Sequence, residues 1–117
     1  MATEDFKLLQ KVQDMMIYGY PILDRFPKNV KFSLAQDIRS CMNEMLRLTI
    51  AEDKKKSKLT TLEHLDVENE ALKRLLWISM ELKYLSKHQY GVWEAKLVEI
   101  GKMIGGLLRS VNGRPKT

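Results

Sequence analysis

The sequence predicts an all-α protein, an antiparallel up-down-up-down four-helix bundle. Three observations lead there. Apolar residues recur in steps of three and four through four separate segments, which is the period of a helix and not of a strand. The connections between those segments are too short for crossovers, so consecutive helices must run antiparallel. Three prolines and six glycines, with 44% hydrophobic and 30% charged residues, suit a helical core and not a turn-rich β fold. By its 117 residues the chain is one domain over 1–117, long enough to bury a core without staples.

The first helix is expected at about 5–26, on the stripe Leu8, Val12, Met15, Gly19, Ile22 and Phe26. Pro21 removes the amide that would bond back to Ile17, which predicts a kink. Pro27 closes the helix, because a residue before proline is pushed out of the α region. Phe26 and Phe32 are expected to pin the connection, residues 27–32, onto the bundle end. The second helix, about 34–53, opens on a Ser33–Gln36 capping box and continues through Leu34, Ile38, Cys41, Met45 and Leu48. It should fray into the solvated "EDKKKSK" loop.

The third helix, about 61–85, opens on Thr60 and Glu63, with Asp66 near the positive end of the macrodipole. Its seam is Leu62, Leu65, Leu72, Leu76 and Ser79. The fourth, about 87–111, opens on Ser86 and Gln89 and carries Tyr90, Trp93, Leu97, Ile100, Ile104, Leu107 and Val111. Asn112 and Gly113 end it, Pro115 forbids continuation, and residues 112–117 form a basic tail.

A bundle helix needs an apolar stripe about 100° wide, and two of these exceed it. Leu75, Trp77, Ile78, Met80, Leu82, Tyr84 and Leu85 spread beyond the third seam; Leu9, Met16, Tyr20 and Leu23 flank the first. A thick core softened by seven methionines is one reading. The stronger is an oligomer interface at Leu9, Met16, Tyr20, Leu75, Trp77, Met80 and Tyr84, because large exposed apolar patches are rare on monomers. Gly101, Gly105 and Gly106 inside the last helix imply close approach of another backbone. Trp77 and Trp93 lie in helical stripes and read as core rather than as stacking platforms.

Catalytic classes are excluded on residue type. His64 and His88 have no partner at ligand spacing, and no E-x-x-H pair marks a di-iron bundle. Glu63, His64 and Asp66 form a charged helix start rather than a metal cluster, and one cysteine cannot build a zinc site. No Gly-rich loop precedes a helix to cradle phosphate. No enzyme activity, metal or cofactor is expected, and Cys41 on the seam reads as inert packing. That single cysteine points to a reducing cytoplasm; no apolar run resembles a signal peptide or reaches the roughly 18 residues of a membrane span.

The net charge is +5, and it is distributed in patches. Acid gathers at Glu63, Asp66, Glu68 and Glu70, base at Lys54, Lys55, Lys56 and Lys58. Lys102, Arg109, Arg114 and Lys116 follow Glu99 with no acid among them. The first connection adds Arg25, Lys28, Lys31 and Arg39. Such groups neutralise phosphates with strong salt dependence and little sequence preference.

The stretches "YGYPILDRFPK", "FPKNVKFSLAQDI" and "LSKHQYGVWEAKLVEIGKMIGGLLRSV" together resemble the Avd (accessory variability determinant) family, the helper proteins of diversity-generating retroelements. The resemblance runs from about Phe6 to Arg114 and is strongest in F-P-K-x-x-K-F-S-L, residues 26–34, and E-I-G-K-M-I-G-G, residues 99–106. It implies four-helix protomers in a pentameric ring that bind a reverse transcriptase and RNA or DNA, supporting the copying of template RNA into mutated cDNA. By that resemblance Arg25, Lys28, Lys31, Arg39, Lys73, Arg74, Lys102 and Arg109 are the candidate nucleic-acid contacts. Trp77 stands where many relatives place a second arginine of that helix, which leaves Lys73 and Arg74 as its candidate basic contacts. The alternative is a structural oligomer of the related ribosomal RNA intervening-sequence group, without a polymerase partner.

Overall fold

A computed structural model describes the backbone of residues 3–54 and 59–112, and the side chains of 6–52 and 59–111. Four long helices and one short one follow in order: α1 (Thr3–Leu23), α2 (Lys28–Lys31), α3 (Leu34–Lys54), α4 (Leu59–Glu81) and α5 (Lys87–Asn112). No strand occurs among the described residues. The fraying of "EDKKKSK", the stop after Asn112 and the basic tail fall largely outside them.

The long helices close a square, with α1 and α4 each packed against both α3 and α5. The link at 82–86 spans at most about 18 Å extended, and a helix of α4's length rises about 35 Å. The chain therefore turns back between α4 and α5, as an up-down-up-down bundle requires. The body measures 54 × 21 × 20 Å. Leu8, Val12 and Met15 of α1, Ile38, Met42 and Met45 of α3, Leu65, Leu72 and Leu76 of α4, and Trp93, Leu97, Ile100 and Ile104 of α5 are fully buried along its axis.

Gly19 has a specific packing role. A Cβ there would stand 2.7 Å from Cη2 and 2.9 Å from Cε2 of Trp93, so the missing side chain is the slot that admits the indole. Tyr18 closes the slot edge-on, its ring 6.2 Å from that of Trp93. Within the protomer Gly101 faces a side chain rather than another backbone. Buried Asn69 lies against it, with Nδ2 3.1 Å from a Cβ position on the glycine, and donates to the Leu97 carbonyl at 3.1 Å. Gly105 and Gly106 meet only the guanidinium of Arg109 on their own helix.

Helix ends depart from the sequence reading in instructive ways. α1 stops at Leu23 rather than Phe26: the amides of Arg25 and Phe26 bond back three residues, to Ile22 and Leu23, at 3.0 and 3.1 Å. Pro27 then caps the single turn α2. α3 opens on the Ser33 carbonyl, which accepts from the Asp37 amide at 2.8 Å, while Gln36 Nε2 reaches forward to Ser40 Oγ at 3.5 Å; the expected reciprocal box is not what holds this start. α4 begins at Leu59, which puts Thr60 inside the first turn rather than at the cap.

α4 also ends early, at Glu81 instead of Leu85. Lys83 takes φ 70°, its amide bonds to Met80 O at 3.0 Å, and the Tyr84 amide bonds to Ser79 O at 2.9 Å. This pair of bonds is a Schellman stop with lysine in the position that glycine usually fills. The box at α5 is as expected: Gln89 N donates to Ser86 Oγ at 3.0 Å and Ser86 N to Gln89 Oε1 at 3.1 Å.

Candidate nucleic-acid interface

Phe26 and Tyr84 organise one end of the bundle. Their rings lie 5.9 Å apart, which holds the α1–α3 connection against the α4–α5 link. Arg25, Lys28 and Lys31 of the first connection thereby share an end with Lys83 and Lys87 of the second. Sequence reasoning omitted those two lysines. They lie 58 and 62 positions from Arg25 along the chain, and only the antiparallel turn-back makes them neighbours. Ion pairs of the described residues engage Lys11, Arg39, Lys73 and Lys96, and leave these five cations without a carboxylate partner among the described residues.

The rest of the candidate set is divided. Arg39 is held by Asp24 at 3.3 Å and Lys73 by Glu70 at 2.8 Å, so both charges are already partly answered. Arg74 and Lys73 line a cleft of about 250 Å³ between α4 and α5 with Glu70, Trp77, Tyr90 and Glu94. There the Tyr90 hydroxyl donates to Glu94 Oε2 at 2.7 Å. Burial first, then that bond and the Glu94 charge, push the phenol up to about 12 against the pull of Arg74. Lys102 and Arg109 are exposed toward the far end of α5, about 33 Å of helix separating position 109 from Lys87. The eight candidates are thus not one surface.

Phe32 overturns an expectation. Phe26 is buried, but Phe32 is 93% exposed and pins nothing. Val30 packs against the core, and a residue two positions further round a helical turn points the opposite way.

A family model described as bAvd-like matches residues 6–111, from the first turns of α1 to the last of α5. The chain belongs to the bAvd-like family. No curated protein compared with it matches. The Avd-like family is an accessory, non-catalytic kind of protein. Among its described residues no group of three or more His, Cys, Asp or Glu is placed to hold a metal, and no helix is long and apolar enough to cross a membrane.

The residues expected at an oligomer interface divide in the Avd-type fold as the basic ones do. Met16 is buried within the protomer; Leu9, Leu75 and Met80 are half-buried. Tyr20 donates to Asn43 Oδ1 at 2.6 Å, and Tyr84 is engaged by Phe26. Trp77, read as core from its stripe, is instead 47% exposed, while Trp93 is fully buried. Ile17, absent from the expected set, is 73% exposed beside Met16, Tyr20, Pro21 and Leu46 in an open groove between α1 and α3. Cys41 is buried, donates Sγ–H to Glu68 O at 3.1 Å, and has its thiol pushed up to about 12 chiefly by burial. Such a thiol is inert.

Proposed function

We propose that this Avd-type protein is the non-catalytic accessory of a diversity-generating retroelement. In this reading it works in the cytoplasm as a homopentamer that binds the reverse transcriptase and template nucleic acid during mutagenic cDNA synthesis. Membership of the bAvd-like family supports the role, and one observation carries the nucleic-acid half. Arg25, Lys28, Lys31, Lys83 and Lys87 meet at one end of the bundle without carboxylate partners among the described residues. Charge left unanswered at one end creates a field that a polyanion neutralises, and ring symmetry would repeat it in every subunit.

The test is salt-dependent binding of RNA and DNA by the purified protein. Affinity should fall steeply between 50 and 200 mM salt, roughly as expected for several phosphate contacts. Reversing Lys28 and Lys87 to glutamate should weaken it more than reversing Arg39 and Lys73, whose charges are already engaged. Absence of binding at 50 mM salt, roughly the permissive limit used for such contacts, rejects the nucleic-acid half. Intact cDNA mutagenesis after deletion of the gene rejects the whole role and leaves a structural oligomer. The exposed Ile17, Trp77, Ile78 and Leu82 support self-association, which light scattering checks against five times the 13.7 kDa chain.

A further inference from the structure

Phe32 is the most exposed large apolar side chain among the described residues. Its neighbours along the chain are polar and mostly cationic: Lys31 and Ser33 flank it, Lys28 lies one turn back in α2, Arg25 precedes that turn, and a single carboxylate, Asp37, follows in the first turn of α3. The turn itself is fixed, by Pro27 at its start, by Val30 against the core and by Phe26 on Tyr84. The result is an aromatic ring held out from an anchored turn amid positive charge. A protein-docking patch would surround such a ring with further apolar surface. A single strand of nucleic acid instead offers π faces between phosphates, and aromatic platforms with basic flanks bind it without sequence preference.

We propose that the α2 end is a stacking site for single-stranded nucleic acid, with one unpaired base on Phe32 and the flanking phosphates on Arg25, Lys28 and Lys31. The inference rests on the nucleic-acid reading above and adds what that reading lacks, a preference for strands whose bases are free. A duplex keeps its π faces stacked internally and presents phosphate alone.

The experiment compares the full-length protein with Phe32→Ala and Phe32→Trp. The probes are single-stranded RNA and DNA of about 12 nucleotides, the corresponding duplex, and heparin as a polyanion without bases. Phe32→Ala should weaken both single strands by about fivefold to a hundredfold and leave duplex, heparin and the salt slope unchanged. Lys28→Gln should lower the single-strand slope by about 0.7. Phe32→Trp should retain affinity, with tryptophan fluorescence quenched on binding beyond that of the parent. Equal single-strand affinity for the parent and Phe32→Ala overturns the stacking site while the proposed function stands. A parent that binds no nucleic acid overturns the stacking site together with the nucleic-acid half of the proposed function. A change of oligomeric mass in Phe32→Ala makes Phe32 a subunit contact and also overturns the proposal.

Discussion

Gly19 and Trp93 show how much one residue's absence of a side chain can matter. Alanine at position 19 improves helix propensity by about 0.5–1 kcal/mol, yet its Cβ would overlap the buried indole. Overpacking of this kind costs about 1–3 kcal/mol, so Gly19→Ala should lower the urea midpoint at unchanged m-value. Trp93→Phe in the same chain should recover part of that loss, and the double-mutant cycle should show strong coupling. Cys41 gives a second residue-scale prediction. With its thiol pushed up to about 12, iodoacetamide at pH 8 should label the native protein at least about a hundredfold more slowly than the urea-unfolded chain.

At the scale of elements, helix ends decide what each connection exposes. Lys83 occupies a left-handed position at φ 70°, where an L side chain is strained and glycine is not. Lys83→Gly should therefore stabilise the protein by about 0.5–1 kcal/mol while weakening nucleic-acid binding, two readouts of opposite sign. Ser86→Ala should cost about 1 kcal/mol through loss of the α5 box, measured by urea unfolding. α2 has the same logic. Its single turn sends Val30 inward and Phe32 outward, so one connection both seals the bundle and presents a ring.

For the whole molecule, stability should fall on the alkaline side. Cys41 and Tyr90 are both raised to about 12, from 9.0 and 10.0, and both are neutral when protonated. The unfolded chain releases these protons first, so their contribution is complete below about pH 9 and is lost as pH rises toward 12. Urea midpoints at pH 8, about 10 and about 11 should decline in that order, and Cys41→Ala should flatten the early part of the fall. Ion pairs add a further constraint between α1 and α5, where Lys11 meets Glu99 at 2.6 Å and Lys96 meets Asp14 at 3.7 Å. These exposed pairs should respond to salt rather than set the fold.

The sequence by itself determined the four long helices, their antiparallel order and their buried seams. A three-four apolar period admits no other local structure, and short links admit no other connection. It also carried the family, through motifs that span both ends of the chain. Only the tertiary structure decided which way each boundary side chain faces. Phe26 and Phe32 are alike in type and nearly alike in context, yet one is buried and the other is open, because a single helical turn rotates between them. Only the fold, too, could separate answered charge from free charge: Arg39 and Lys73 read like Lys28 until Asp24 and Glu70 are seen beside them. Periodicity is local and therefore legible in sequence. The neighbours of a surface charge are set by where the chain turns back, and that is a property of the folded whole.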